Sequence, residues 1–272
     1  MSTPFKPKVT AEIGIIGGSG FYGLVENLEE IRVETPFGAP SDKIAVGNIY
    51  GKKVAFLPRH GKQHSLPPHQ INYRANIWSL YSLGVKEIIT AHAAGSLQKE
   101  IKPGSIIVLD QFIDRTSGRK DTFFDGPITT HVSSAFPYCG RLREHAKKIG
   151  EKLKYDIHPK GTVVVIQGPR FSTAAESLWF SQMGWNVVNM TQYPEAVLAR
   201  ELQICYSALA LATDYDSGLV MANKIKPVSA KEVGRVFEQN IDKAKRIFLE
   251  MLKTWPNRVE CLCQKALEEA RF

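Results

Sequence analysis

Apolar residues along this chain fall into short continuous blocks separated by amphipathic stretches. Glu12–Ile16, Glu87–Thr90, Ser105–Leu109, Thr162–Ile166, Val187–Met190 and Tyr206–Thr213 read as strands covered on both faces. Lys43–Tyr50 and Lys53–Pro58 instead alternate around Gly51-Lys52, which predicts a hairpin, and Ile31–Glu34 is also strand-like. Helical spacing marks Asn72–Leu83, closed by Gly84 as a C-cap, and Arg141–Leu153, Thr173–Met183 and Pro194–Cys205. The clearest helix carries Val233, Val236, Phe237, Ile241, Ala244, Ile247, Phe248, Met251 and Leu252 on one stripe. Ser229 and Glu232 form a capping box before it, and Pro256 stops it. Strands alternating with helices predict an α/β fold: a central mixed, largely parallel twisted sheet flanked by helices. With no repeat or linker, residues 1–272 are expected to form one domain, with a short tail around residues 257–272.

Composition narrows the classes. At 272 residues, 43% hydrophobic and 23% charged, the chain can bury a substantial core without metals or staples. No apolar run is long enough to span a bilayer, and the polar, proline-containing N-terminus is no signal peptide, so a cytoplasmic protein is expected. The net charge of +8 invites a nucleic-acid reading, but the Lys and Arg residues are scattered among acids on helix faces. A small anionic substrate explains a positive field equally well. Cys139, Cys205, Cys261 and Cys263 admit three readings: reduced thiols, a zinc site of unusual spacing, or disulfides.

The chemistry gathers at strand ends. Gly18-Ser19-Gly20-Phe21-Tyr22-Gly23 matches a dinucleotide fingerprint, but too few residues follow before the next strand for a crossover helix. What remains is a glycine-rich anion nest carrying the Ser19 hydroxyl. Pro58-Arg59-His60-Gly61 offers a bidentate arginine and a second donor. Ala91-His92-Ala93-Ala94-Gly95-Ser96 reads as a turn of small residues after a strand, open to close approach by a ligand. Three such segments at strand C-termini favour an oxyanion site. Gln167–Ser172, Asn189–Thr191 and Thr213–Asp216 end further strands, where Phe171 is suited to stack on a base and Ser172, Asp214 and Asp216 to read its edge. Thr173 and Glu176 are instead explained by a capping box.

These motifs, with Asn72–Trp78 and Asp110–Asp114, resemble in order the methylthioadenosine phosphorylases of the trimeric purine nucleoside phosphorylase family, from about Glu12 to Lys245. The CxC tail looks like that of hyperthermophilic archaeal members, in which disulfides occur. The resemblance implies a pentosyltransferase that uses phosphate to split 5′-methylthioadenosine into adenine and 5-methylthioribose 1-phosphate. Phosphate would be held by Ser19, Arg59, His60, His92, Ala93 and Thr191. The purine would face Phe171, Ser172, Asp214 and Asp216, and Met190 would lie along the ribose. His64, Ala230, Val233 and Gly234 would line the 5′ pocket, with His131 reaching in from a neighbour in a trimer or dimer of trimers. Asp214 would protonate the departing base at N7. Asp216 would accept from the exocyclic amine and so select adenine. Inorganic phosphate is a co-substrate, and no metal or organic cofactor is implied.

Several positions depart from the family pattern. His92 stands where Thr or Asn is usual, Ala174 where Arg is usual, no aromatic residue follows Asp216, and Ala230 and Gly234 are small. They leave open a broader adenosine or purine nucleoside phosphorylase, or a methylthioinosine phosphorylase. A non-catalytic nucleotide- or nucleic-acid-binding protein is the reading from another class.

Overall fold

The hairpin at residues 44–58 builds one wing of a branched sheet. In the computed structural model, which describes residues 9–18, 26–223, 230–258 and 261–271, β3 (Ile44–Ile49) and β4 (Lys52–Pro58) pair antiparallel. Tyr50 and Gly51 join them at φ 49° and 76°. Two successive positive φ angles give the turn a twist that matches the strands it connects. β2 (Glu26–Ile31) lies outside β3, while β4 runs parallel to β1 (Ile13–Gly17), which in turn runs parallel to β5 (Glu87–Ser96).

β5 is the hub. One side pairs with β1 through residues 87–90, and the other runs parallel to β11 (Cys205–Tyr215) along its whole length. Its last two residues, Gly95 and Ser96, also pair antiparallel with β10 (Val187–Asn189), which leads to β9 (Thr162–Ile166) and β7 (Gln111–Arg115). β6 (Ile106–Val108) and the short β8 (Ile157–His158) extend the sheet beyond β11.

Helices cover both faces, as the double-sided burial of the strands requires. α1 (Tyr73–Ser82) and α4 (Glu195–Glu201) bring Ile77, Leu80 and Leu198 into one core with Leu57, Val163 and Tyr206. α2 (Gly140–Lys152) and α6 (Ala230–Lys253) bury Ile149, Ile247, Phe248, Met251 and Leu252 against Ile15 and Phe56 on the other. α3 (Ala174–Gln182) starts with the expected capping box, Thr173 and Glu176 each satisfying the other's backbone N–H, and α5 (Ser217–Asn223) lies beside it.

Three expectations change. The segment Ala91–Ser96 is not a turn but the second half of β5, because small side chains let β11 and β10 both close on it. The strand expected at Ile31–Glu34 lies earlier, over β2, as an edge partner of β3. The helix expected to reach Cys205 stops at Glu201; Gln203 takes φ 56°, and Cys205 already pairs with β5. Ser229 lies outside the described residues, and the Glu232 side chain is likewise not described. Among the described residues no helix is long and apolar enough to cross a membrane.

Candidate active site

The C-terminal half of β5 forms the floor of a cavity of about 390 Å³. Around it stand Gly18 after β1, Arg59 and His60 after β4, Thr191 after β10, Asp214 and Asp216 at the end of β11, and Phe171 and Ser172 before α3. Side chains distant in sequence converge here because five strand ends open onto one side of the sheet, where ligands collect in such folds.

At the β4 end the charges are buried. Arg59 is 3% exposed and Glu195, the first residue of α4, is 0% exposed. Arg59 Nε and Nη2 grip the two Glu195 oxygens at 2.5 and 3.1 Å. Nη1 donates to Ala91 O at 3.1 Å and Nη2 also to Thr90 Oγ1. Burial alone would lower the Arg59 pKa, but the Glu195 carboxylate more than reverses this and raises it. The bidentate face expected to hold an oxyanion is therefore spent on Glu195, although Arg59 still lines the cavity.

The histidines also differ from expectation. His60 Nδ1 lies 2.8 Å from Leu66 O, so Nδ1 carries the proton and the neutral ring offers a lone pair, not a donor, at Nε2. Burial and the neighbouring Arg59 charge push its pKa down to about 4. His64 stacks on it at 4.4 Å and lines the cavity rim. His92 is 2% exposed, its pKa lowered by burial and by Arg59, and both ring nitrogens meet protein atoms. Ala93, between buried neighbours, is exposed to the cavity.

The far end is acidic. β11 carries a bulge at Thr213: Ala212 faces Ala94 and Asp214 faces Gly95. The extra residue re-aims the strand end, and Asp214 and Asp216 both line the cavity. Burial raises the Asp214 pKa, the Thr213 hydroxyl donating to Oδ1 at 2.6 Å opposes this, and the Asp216 charge adds to the rise. Ser172 Oγ donates to Asp216 Oδ2 at 2.5 Å, so Ser172 is tied to the acid. A Cβ on Gly95 would stand 3.4 Å from Asp216 Oδ1, a contact distance, so this acid lies directly against the strand. Phe171 is 80% exposed beside them, an uncovered ring at the mouth, and Met190 lines the wall between the two ends.

Not every candidate is placed here. Ser19 lies outside the described residues, and Ala230, Val233 and Gly234 open α6 with side chains that are not described. Phe237 and Ile241 of the same helix do line the cavity. His131 sits on an exposed loop away from its own chain's cavity, its backbone N–H bonded to Ala270 O at 2.7 Å. Three residues were missed by sequence reasoning. Glu195 lies in the first turn of a helix and was given no role. Asn189 lines the cavity with Nδ2 buried and without a partner among the described residues. Arg119 donates to Gln167 O at 2.9 Å and Met190 O at 2.8 Å, pinning two walls together.

Apart from the cavity, Cys139, Cys205, Cys261 and Cys263 bring their Sγ atoms within 4.8 Å of one another, with none bonded. Hydrogen bonds from the Cys205 and Cys263 thiols push the Cys139 pKa down to about 4.

The model of the Phosphorylase superfamily matches residues 12–253. An S-methyl-5′-thioadenosine phosphorylase of Hyperthermus butylicus is 50% identical, covering 98% of this chain and 98% of that protein. One from Pyrococcus abyssi is 48% identical over 94% of this chain and 98% of its own length. A purine nucleoside phosphorylase of Streptomyces coelicolor is 47% identical over 96% and 95% respectively. Among solved structures, a methylthioadenosine phosphorylase from an antarctic soil metagenomic library superposes with TM-score 0.89 at 39% identity, covering 97% of this chain and 93% of that one. The Schistosoma mansoni methylthioadenosine phosphorylase in complex with adenine gives TM-score 0.88 at 34% identity, covering 96% and 99%.

Proposed function

The chain belongs to the Phosphorylase superfamily, and from that premise we propose that it is a pentosyltransferase cleaving 5′-methylthioadenosine with inorganic phosphate, releasing adenine and 5-methylthioribose 1-phosphate. The observation that carries the reading is one cavity lined by the buried Arg59 guanidinium at one end and by the Asp214 and Asp216 carboxyl groups at the other. His92 and Gly95 mark those ends on β5, three residues and so about 10 Å apart. A nucleoside with phosphate beneath its anomeric carbon spans that length.

In this reading phosphate rests among Gly18, Arg59, Ala93 and Thr191, held for attack on C1′ as the sugar gains positive charge. His60 Nε2 faces it only as an acceptor for a phosphate hydroxyl. Holding the nucleophile in line supplies much of the rate, because the charge and donors are set before reaction. The base departs more easily once N7 is protonated. Asp214, its pKa raised by burial, is the acid suited to that step. Asp216 accepts from the exocyclic amine of adenine, with Ser172 fixing its other oxygen, and Phe171 stacks on the ring. Phosphate is a co-substrate, and the chemistry needs no organic cofactor or metal.

The test is purine release from methylthioadenosine, adenosine and inosine, each with and without phosphate. Release that depends on phosphate and follows that order of preference is expected; equal release in phosphate-free buffer rejects phosphorolysis. The Streptomyces coelicolor relative supports a second reading, a broader purine nucleoside phosphorylase, which equal turnover of inosine would favour.

The same premise extends to assembly and compartment. We propose a trimer, or a dimer of trimers, in the cytoplasm, in which His131 reaches a neighbouring cavity. The four converging thiols support disulfides between the C-terminal segment and the body.

A further inference from the structure

Arg119 lies beyond β7, in the segment that leads to α2, and is not part of the cavity lining. Its guanidinium nevertheless holds the backbone from which one cavity wall is built. Nη2 donates to Gln167 O at 2.9 Å and Met190 O at 2.8 Å, and Ile166 O shares one of these protons at 3.4 Å. Nη1 donates to Tyr193 O and to Tyr73 Oη at 3.4 Å, and Nε to Gln167 Oε1 at 3.3 Å. The Tyr73 hydroxyl gives its own proton to Pro68 O at 2.9 Å, so its oxygen is free to accept. All five guanidinium protons are thus placed, and every acceptor is uncharged. Four backbone carbonyls, from the ends of β9 and β10 and from just before α4, converge on this one cation. Carbonyl dipoles aimed at one point repel each other, and a planar cation with a fork of donors draws them together.

The effect reaches the cavity along two routes. A trans peptide is planar, so its N–H points opposite to its C=O. With Met190 O drawn to Arg119, the Thr191 N–H turns the other way; among the described residues it donates to no protein oxygen, and Thr191 lines the cavity. A Cβ on Gly168 would stand 2.8 Å from Met190 Sδ, so the backbone that Arg119 holds through Gln167 O is also the backing of the Met190 side chain.

We propose that Arg119 is a positioning residue for the sugar and phosphate part of the site: it aims the Thr191 N–H at the anion and sets the Met190 wall against the sugar. Arg119 itself touches no substrate. The purine end is fixed separately, Ser172 Oγ donating to Asp216 and Ser172 O accepting from Ser217 Oγ at 3.1 Å. The inference rests on the reading of this cavity as a phosphate-dependent nucleoside site.

The test compares full-length wild type with Arg119→Ala, by phosphorolysis of methylthioadenosine and by calorimetric titration with free adenine. In the variant kcat/KM should fall about a hundredfold, the loss expected when reactants are misplaced by about an ångström. KM for phosphate should rise, while adenine affinity should change little. Guanidinium chloride, far below concentrations that unfold the protein, should restore much of the loss, and sodium chloride at equal ionic strength should not. Arg119→Lys keeps the charge but offers a point charge instead of a planar fork. It should show the same order of losses, and it carries the test if the Ala variant does not fold. A kcat/KM near that of the wild type overturns the proposal. So does a loss of adenine affinity in step with kcat/KM that guanidinium leaves unmoved, since Arg119 would then only support the fold. Wild-type purine release that ignores phosphate would instead reject the functional reading, while guanidinium rescue of that release would still test Arg119.

Discussion

The Arg59–Glu195 pair changes how the most obvious mutation at this site should be read. Removing one member of a buried ion pair leaves its partner's charge uncompensated, at a cost of about 3–5 kcal/mol. With Glu195 0% exposed, Arg59→Ala should lower stability as well as weaken phosphate binding. Thermal melting beside phosphate titration will show both; an unchanged melt would mean that the buried pair adds nothing to stability. Asp214 gives the cleaner test. Asp214→Asn should cut turnover by on the order of a hundredfold or more, as expected for a lost general acid, with phosphate KM little changed. Because burial raises the Asp214 pKa, the protonated form persists to higher pH than for an ordinary aspartate, and activity should fall as pH rises through that pKa. The Asn variant should lack this limb. Stability follows the same sign: a raised carboxyl pKa favours the fold at low pH, and that contribution is lost as pH rises through the folded-state value. Asp214→Asn should therefore gain stability relative to the wild type over that window.

At the scale of elements, the purine end is held by two helices in close contact. A Cβ on Gly218, in α5, would lie 2.6 Å from the backbone nitrogen of Leu178 and 2.8 Å from Ser177 Oγ, both in α3. Backbone cannot yield as a side-chain tip can, so Gly218→Ala should cost about 1–3 kcal/mol and part α5 from α3. Asp216 stands just before α5 and Ser172 just before α3, so KM for the nucleoside should rise more than KM for phosphate. A variant that melts like the wild type and keeps both constants would show that the helices adjust freely. The same elements show what the sequence could reveal. β1, β9, β10 and β11 are legible because strands buried on both faces leave continuous apolar runs, and α6 because one face is buried. β2 is not: Glu26–Ile31 is mostly polar and pairs only as an edge. The second half of β5 is hidden because Ala, Gly and Ser read as turn, whereas here their smallness admits two partners. Arg59, Thr191, Asp214 and Asp216 could be read at strand ends. Glu195 could not, since its partner is 136 positions away and a helix start explains an acid on its own. The bulge at Thr213, which sets the aim of Asp214, leaves no local mark either.

Across the whole molecule, the C-terminal segment closes a long circuit of chain. Trp255 Nε1 donates to Glu87 Oε2 at 2.5 Å, Gln203 donates to Gln264 O, and Arg271 bridges to Thr130. These bonds bring residues 261–271 against the start of β11 and of α2, where Cys205 and Cys139 wait. The Cys205 and Cys261 sulfurs are 3.4 Å apart across 56 positions. A crosslink over a loop of that length restricts the unfolded chain by about 4 kcal/mol in the chain-entropy account. For a chain of this size that corresponds to a Tm roughly 10 °C higher. Cys139, its pKa lowered by thiol hydrogen bonds, is the thiolate placed to attack an added disulfide oxidant. The attack releases that reagent's thiolate and leaves a mixed disulfide that a second cysteine of the cluster resolves. Oxidised protein should therefore melt higher than protein treated with a reductant, and intact mass after alkylation should show fewer than four modified cysteines. Substituting Cys205→Ser should remove most of the difference, while phosphate-dependent turnover well below the melt should be little changed, because the cluster lies apart from the cavity. If chelators rather than reductants lower the melt, the cluster holds a metal ion instead. If neither does, hydrogen bonds and apolar packing alone hold the segment in place.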